Sequence, residues 1–182
     1  MKNFKYFIFS LLLSCRYYSL AGSIPPHINS IAIPIVENQT SEFGISESVT
    51  ENLLNIFLKE NILKITDEED ATSILRGKII RITDAPYTFT KEEAVTEYRF
   101  TVQMSLEWFD VKNEKNLLKR TFSGWGAYGL SGDISSDGID NDGDGLIDGE
   151  DDNEFGDPRQ FATKVAIEKI AEDILNEIMT TW

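Results

Sequence analysis

The sequence predicts an α+β fold, in which a mixed sheet of four to five strands is covered on one face by two helices to form a two-layer domain. Apolar residues recur at helical spacing in two segments, one early in the chain and one at the C-terminus. Between them, a long segment alternates apolar and polar residues, as a strand with one buried face does. A strand–helix–strand order at the start adds parallel pairing, which makes the sheet mixed.

The first three elements form the predicted β-α-β unit. Residues 30–36 are predicted to form a strand, because three isoleucines alternate along this segment, namely Ile31, Ile33 and Ile35. A helix is predicted at residues 47–60, where Ser48 and Glu51 have the spacing of a capping box and four residues form an apolar stripe: Val49, Leu53, Ile56 and Phe57. A short second strand at residues 61–66 completes the unit.

Three further strands follow. A third strand is predicted at residues 74–83, and a fifth at residues 117–125, where the chain turns back as a hairpin. The fourth strand, residues 95–109, has the clearest pattern in the chain. Six apolar residues there alternate with polar ones and are expected in the core: Tyr98, Phe100, Val102, Met104, Leu106 and Trp108. The other side of this strand should face water or a polar partner.

A C-terminal helix at residues 158–179 is the last predicted element. Asp157 is its expected N-cap, Pro158 suits the first helical position, and Gln160 completes a capping box. Seven residues form its apolar face: Phe161, Val165, Ile167, Ile170, Ala171, Ile174 and Ile178.

The chain is acidic, and the acidity is concentrated in one segment. The formal net charge is −14, which argues against binding to the phosphates of nucleic acid. Residues 130–157 contain eleven Asp or Glu and no Lys or Arg, which predicts an acidic loop inserted into a folded domain at residues 30–182. The chain has one Cys, so an intrachain disulfide is excluded. Its one His, His27, has no nucleophile or second His beside it for a catalytic arrangement and is expected to be a solvated loop residue.

The N-terminus has the features of a lipoprotein export signal. Lys2 and Lys5 precede an apolar stretch at residues 6–13, which is too short to span a membrane. The stretch ends in a sequence that resembles a lipobox, Leu12-Leu13-Ser14-Cys15. Residues 1–14 are therefore predicted to be a lipoprotein signal peptide that is removed. Cys15 is predicted to receive diacylglycerol and an N-acyl chain such as palmitate, enough lipid for stable anchoring.

The residues after Cys15 set the expected location of the protein. Arg16 stands where an Asp would favour retention at the inner membrane, so it favours sorting to the outer membrane. Residues 15–29 contain Gly22, Pro25 and Pro26, and are expected to be the lipidated N-terminus and an irregular tether. The alternatives are an ordinary signal peptide with an incidental Cys and a buried apolar N-terminal strand.

The acidic insertion contains a regular pattern of oxygen ligands. Six residues fall at positions 1, 3, 5, 7, 9 and 12 of an EF-hand-like loop: Asp140, Asp142, Asp144, Leu146, Asp148 and Asp151. Gly145 stands at position 6, where the loop turns sharply, and Leu146 would bind through its backbone carbonyl. This spacing resembles the calcium loops of thrombospondin type 3 repeats and dockerins and predicts one bound Ca²⁺. A second calcium ion and a solvated acidic linker remain alternatives.

Several short motifs occur in a characteristic order along the chain. They stand at residues 15–20, 20–28, 31–40, 67–71, 75–77, 96–99 and 123–126, and include Thr96-Glu97-Tyr98-Arg99 and Ser123-Gly124-Trp125-Gly126. With a lipidated Cys at the front, this order resembles the lipopolysaccharide-assembly lipoprotein family, the LptE-like proteins. The resemblance covers nearly the whole mature chain except residues 130–154.

The resemblance implies a non-enzymatic lipoprotein of the cell outer membrane, lipid-anchored on the periplasmic side or within the lumen of a large β-barrel. That barrel is the implied partner in outer-membrane assembly and lipopolysaccharide transport, and lipopolysaccharide is a further implied ligand. The polar face of the strand at residues 95–109 is then a candidate contact with the barrel wall. Arg76, Lys78 and Arg81 could bind phosphate or serve only as solubilising charge.

Two other functions remain open from the sequence. A calcium-dependent, lipid-anchored adhesion or scaffold module of the cell envelope would dock a partner on residues 140–151. A lipid-anchored hydrolase is the weaker alternative, because the sequence offers no Ser–His or Cys–His pair, although paired carboxylates could still act.

Overall fold

The computed structural model describes residues 24–130, 134–136, 138, 140, 144–147, 150 and 156–180. Within them, two α-helices and six strands build the domain. The helices are α1 (Ile45–Glu60) and α2 (Pro158–Thr180). The strands are β1 (Ser30–Ala32), β2 (Glu37–Asn38), β3 (Lys64–Ile65), β4 (Ser73–Phe89), β5 (Val95–Asp110) and β6 (Lys115–Gly129).

The sheet joins a short parallel part to a long antiparallel meander. The strand order is β3-β1-β4-β5-β6, and β2 also pairs with β4. β1 pairs in parallel with β3 and β4, whereas β4, β5 and β6 are antiparallel neighbours. The parallel pairing of β1 with β3 across α1 confirms the predicted β-α-β unit. With both helices on one side of this mixed sheet, the predicted two-layer α+β fold is confirmed.

The core lies between the two helices and the inward side of β5. Phe100, Val102, Met104, Leu106 and Trp108 all have 0% exposure, as their alternation predicted. Both helices bury their apolar faces in the same cluster, which includes Val49, Leu53, Phe57, Ala162, Ala166, Ile170, Ile174 and Ile178. Since every apolar side chain of β5 in this cluster points to the helices, the other side of the strand is left to polar residues.

Two glycines of β6 allow α2 to lie close to the sheet. A Cβ atom on Gly124 would stand 2.0 Å from the carbonyl oxygen of Ala166, and one on Gly126 would stand 2.3 Å from that of Ala162. Both distances are much shorter than a van der Waals contact, and both are to backbone atoms of the helix. The small residues on the two surfaces therefore fix the spacing of the helix and the sheet.

The two helix starts differ in how they are capped. α1 begins at Ile45, two residues before the predicted start, after Gly44 in a left-handed conformation with φ of +76°. Ser48 lies inside the helix and its Oγ donates a hydrogen bond to the Gly44 carbonyl oxygen, so the predicted capping box is wrong. At α2, Asp157 Oδ1 accepts a hydrogen bond of 2.8 Å from the Gln160 amide, which confirms the predicted N-cap.

The strand boundaries differ most at the edge of the sheet. β1 ends at Ala32, short of the predicted end at residue 36, and Pro34, which has no backbone donor, follows soon after. The chain then rejoins the sheet as β2, a strand that the sequence did not predict. β4 and β6 are longer than predicted, with 17 and 15 residues, and extend into a region where apolar and polar residues no longer alternate.

The folded domain begins earlier than predicted. Ile28 is only 5% exposed in the core, and its amide donates a hydrogen bond of 2.8 Å to the Pro25 carbonyl oxygen. Residues 24–29 therefore belong to the domain and not to the tether predicted at residues 15–29. The predicted signal peptide and Cys15 lie outside the described residues. In the described part of the chain, no helix combines the length and the apolar character that crossing a membrane requires.

Candidate functional site on the open face of the sheet

The open face is the side of β4, β5 and β6 that points away from the two helices. The register places Thr101 of β5 between Thr83 and Trp125, and the next outward residue, Gln103, between Arg81 and Ser123. Hydroxyl and amide groups therefore form the middle of this face. The outward side chains of β5 from Glu97 to Glu107 are all partly exposed, which makes this side of the sheet a broad polar surface.

Ion pairs neutralise the end of the open face nearest β2. Lys78 Nζ lies 3.1 Å from a carboxylate oxygen of Glu37, and Lys119 pairs with Glu107 across the strands. Arg76 Nη2 lies 3.4 Å from Glu68. Two of the three cations suggested as phosphate ligands, Arg76 and Lys78, thus have carboxylate partners. Arg81, the third, forms no ion pair with any residue that the structure describes.

Cations and aromatic rings alternate at the other end of the open face. The guanidinium of Arg99 lies 3.5 Å from the ring centroid of Tyr87 and 4.1 Å from that of Trp125. Lys169 of α2 reaches the same indole, with its Nζ 4.9 Å from the centroid. The two rings are 6.1 Å apart. We call these four residues the cation–aromatic stack; each cation–ring contact is attractive because the ring face is negative.

The guanidinium of Arg99 has a donor that no described residue satisfies. Arg99 Nε is buried and has no hydrogen-bond acceptor among the residues that the structure describes. No carboxylate of the described residues lies within ion-pair distance of Arg99 or Lys169, although the chain has 31 acidic and 17 basic residues. A guanidinium held between two rings keeps a fixed plane and direction, so its remaining N–H groups are oriented before any partner arrives.

A second charged cluster lies on the helix side and joins four distant segments. Arg159 of α2 donates two hydrogen bonds of 2.9 Å to Glu42 and one of 2.8 Å to Asp84 of β4. Tyr128 of β6 donates a hydrogen bond of 2.7 Å to the same aspartate. Hydrogen bonding to Arg159 lowers the pKa of Glu42, and burial with the Asp84 contact raises the pKa of Tyr128. The cluster therefore holds the beginning of α2 in place.

A buried carboxylate joins the N-terminal segment to the β5–β6 turn. Asp110 Oδ2 lies 2.7 Å from His27 Nε2 and accepts a hydrogen bond of 2.7 Å from the side-chain amide of Asn113. Burial alone would raise the pKa of Asp110, but hydrogen bonds from Asn113 and His27 outweigh it and hold that pKa below its usual range. The prediction that His27 is a solvated loop residue is wrong, because the fold brings Asp110 to it.

The predicted calcium ligands are only partly within the described residues. Asp140, Asp144 and Leu146 are described; Asp142, Asp148 and Asp151 are not. Asp140 accepts hydrogen bonds from the amides of Asp144 and Gly145, at 3.1 and 3.0 Å, and Gly145 has a φ of +98°. Among the described positions, no three His, Cys, Asp or Glu side chains converge as a metal site. The calcium site stays a prediction.

Sequence reasoning missed the cation–aromatic stack and the Arg159 cluster. Their members come from separate elements, and Asp84 and Arg159 are 75 positions apart in the chain. Only the strand register and the packing of α2 bring them together. Only the register of β4 with β5 could have placed Tyr87 near Arg99. That register depends on the last residues of β4, which the sequence did not predict to be part of a strand.

The fold and the open face define the class of protein: a two-layer α+β domain that presents a polar sheet face. A model of the lipopolysaccharide-assembly family, LptE, matches residues 28–181. The chain therefore belongs to the LptE family of lipopolysaccharide-assembly proteins, a family of non-enzymatic lipoproteins. No curated protein matches the chain at a significant level.

Solved structures share this fold at low sequence identity. A protein from Xanthomonas campestris has a TM-score of 0.55 and 8% identity, over 87% of this chain and 91% of that one. The PelC dodecamer from Paraburkholderia phytofirmans has a TM-score of 0.51 and 12% identity, over 87% and 94%. A hypothetical protein from Chlamydia trachomatis has a TM-score of 0.51 and 10% identity, over 83% and 98%. These similarities show the fold alone.

Proposed function

We propose that the protein is an outer-membrane lipoprotein that partners a large β-barrel in lipopolysaccharide transport and outer-membrane assembly. Its family gives the role in lipopolysaccharide assembly at the outer membrane. The observation that supports a barrel partner is the open face, a broad polar surface that no described element covers. Lipid on Cys15 would hold the domain at the membrane, and the fold would serve as a rigid binding partner.

A polar sheet face suits the inside of a barrel. The lumen of an outer-membrane barrel is lined by polar side chains, whereas its outer wall is apolar. The hydroxyl and amide groups of Thr101, Gln103 and Ser123 can exchange hydrogen bonds with a polar wall without burying unpaired donors. The ion pairs at one end of the face would add charge complementarity to a polar wall. An apolar wall would leave the hydroxyl, amide and charged groups of the face without partners.

Site-specific crosslinking in cells tests the barrel partner and the face together. A photoreactive phenylalanine analogue replaces Gln103 on the open face or Asn55, an exposed residue of α1, in the full-length chain. We expect irradiation to link the Gln103 variant to a large outer-membrane barrel protein, because this face would lie against the wall. The Asn55 variant is the matched control and should give much less of that product.

Two outcomes would contradict the proposal. Equal crosslinking from both positions would show that the open face is not the contact. Mild detergent extraction that recovers the chain without any large barrel protein would reject the barrel partner and favour a calcium-dependent, lipid-anchored adhesion or scaffold module.

We also propose that the acidic insertion binds one Ca²⁺ through Asp140, Asp142, Asp144, Leu146, Asp148 and Asp151. Hydrogen bonds from two successive amides to Asp140, together with the positive φ of Gly145, support this proposal because a calcium loop needs a sharp turn at its sixth position. The bound ion would relieve repulsion among the carboxylates and order the connection into α2, which Asp157 caps.

Calorimetric titration of chelator-treated protein checks the calcium site. We expect one binding event with a Kd that can be as weak as roughly 10⁻⁴–10⁻³ M, the range of extracellular modules. Asp140→Ala with Asp144→Ala should abolish the heat and leave the fold intact, because the core does not use this loop. Asp67→Ala with Asp70→Ala removes the same charge from another acidic turn and should bind calcium normally. Absence of calcium heat in the native chain would reduce the insertion to an acidic linker.

A further inference from the structure

The last strand of the sheet has a free edge. In the described part of the chain, the strand order ends at β6, which pairs with β5 and with no strand on its other side. Alternate residues of an antiparallel strand point their N–H and C=O groups away from the neighbouring strand. The 15 residues of β6 therefore offer hydrogen-bonding groups to a further strand.

A groove runs along part of this edge, between β6 and the C-terminal half of α2. Its volume is about 340 Å³, and its lining includes residues 120–123 of β6 and Asp173, Asn176 and Glu177 of α2. These three residues of α2 lie three and four positions apart, so they form one stripe on the helix surface. The groove therefore has a strand edge as one wall and a polar helix stripe as the other.

The packing of α2 determines where the groove opens. At Gly124 and Gly126, α2 lies so close to β6 that a Cβ atom would clash with the helix backbone. Just before these glycines, the large buried side chain of Phe122 points toward the helix layer. Lys169 closes one end of the groove, because its Nζ crosses the strand edge and lies 4.9 Å from the ring centroid of Trp125. An added strand would lie beside the four residues before Gly124, over a length of about 13 Å.

The charge of the groove favours a cationic side chain. Glu177 is already paired with Arg120, 2.6 Å away. Asp173 is exposed, and no cation of the described residues lies within ion-pair distance of it. Asn176 adds a side-chain amide that can donate and accept hydrogen bonds. Among the described residues, the groove therefore carries a net negative charge beside the free strand edge.

We propose that this groove binds an extended polypeptide segment of a partner protein, which adds to β6 as a strand and places a Lys or Arg side chain beside Asp173. PDZ and PTB domains bind peptides by adding a strand to an exposed sheet edge, where main-chain hydrogen bonds give affinity and side-chain contacts give specificity. Here the free edge of β6 would supply the main-chain hydrogen bonds. Asp173 and Asn176 would select the side chain.

This proposal does not rest on the barrel partnership. The barrel contact would lie on the open face, whereas the groove lies at the edge of the sheet beside α2. The test contains no barrel protein, so either proposal can fail while the other stands.

The probe is a short peptide with blocked ends, in which threonine and valine alternate around a central lysine. It is titrated into the ¹⁵N-labelled full chain, and binding is followed by NMR of the backbone amide signals. We expect saturable movement of the Thr121 and Ser123 signals and slower amide exchange along β6, because the peptide would cover this edge. The signal of Asn55, on the exposed side of α1, should stay still. The same peptide methylated on its backbone nitrogens should not bind, since it cannot donate to β6.

Peptide and protein variants test the selection of a cation. A central glutamate in place of the lysine should weaken binding at least about fivefold, the factor for a strong exposed ion pair. In Asp173→Asn, the lysine and glutamate peptides should bind within about twofold of each other. Glu172→Gln is the matched control, because it removes the same charge one position away. Glu172 lines a different groove, between the two helices, so this variant should keep the full preference for lysine.

Three results would overturn the proposal. No saturable movement of the Thr121 and Ser123 signals would reject the site. Equal binding of the methylated peptide would reject strand addition. An equal loss of preference in Glu172→Gln and Asp173→Asn, in variants of native stability, would reduce the selection to net charge.

Discussion

Replacing Gly124 by alanine is expected to lower the free energy of unfolding by about 3 kcal/mol, the upper part of the usual range for overpacking. The added Cβ would stand 2.0 Å from the Ala166 carbonyl oxygen and 2.8 Å from an Ile170 side-chain carbon. Since the closer atom belongs to the helix backbone, a rotamer change cannot relieve the clash, and α2 must move away from β6. Thermal unfolding should show a midpoint lowered by about 10 °C.

Ser123→Ala is the matched control for this prediction. It places the same side chain one residue earlier on β6, where the position faces the open side of the sheet and is exposed. We expect this variant to unfold within about 0.5 kcal/mol of the native chain, as surface substitutions usually do. If Gly124→Ala were as stable as Ser123→Ala, the close approach of α2 to β6 would not exist in solution.

Arg159→Met is expected to destabilise the domain by about 2 kcal/mol, because it removes charge-assisted hydrogen bonds to two carboxylates and leaves both partly buried without a cation. Glu42 and Asp84 would then lie close together on the helix side, and their mutual repulsion would loosen the start of α2. We expect a fall in the unfolding midpoint of about 6 °C and faster amide exchange in the first turn of α2.

A conservative change and a control on the same helix check the origin of this effect. Arg159→Lys keeps the charge but cannot bind Glu42 with two hydrogen bonds and Asp84 with a third, so it should recover only part of the lost stability. Lys164→Met removes an exposed cation that lies 4.0 Å from a carboxylate oxygen of Glu168, and it should cost almost nothing. Equal losses from Arg159→Met and Lys164→Met would contradict the bridging role of Arg159.

The sequence predicted the parts of the fold that have a strong periodic pattern. β5 has one side in the core and one side open, so its alternation appears directly in the sequence and its predicted bounds differ by one residue from those observed. α2 was predicted equally well because Asp157 and Pro158 mark its start. β2 has two residues and depends on pairing with Lys78 and Ile79, a tertiary contact without a local signal.

The candidate sites were likewise predicted only where their residues lie close together in the sequence. The calcium ligands belong to one continuous loop, so their spacing is visible in the sequence, although part of that loop lies outside the described residues. The polar side of β5 was also predicted as a contact surface. Arg99, Trp125 and Lys169 come from two strands and a helix, and no spacing along the chain relates them. His27 looked solvated for the same reason, since its partner Asp110 is 83 residues away.

The contact between His27 and Asp110 limits how far one end of the domain can lie from a lipid anchor on Cys15. It fixes the point where the chain enters the domain beside the β5–β6 turn. With lipid on Cys15, residues 16–23 can reach at most about 30 Å, so this pole would stay within roughly one bilayer thickness of the membrane surface. β5 has 16 residues and a length of about 50 Å, so the hairpin before it would stand at the far pole. Arg99, near the start of β5, would then lie toward the end of the domain that is remote from its own anchor.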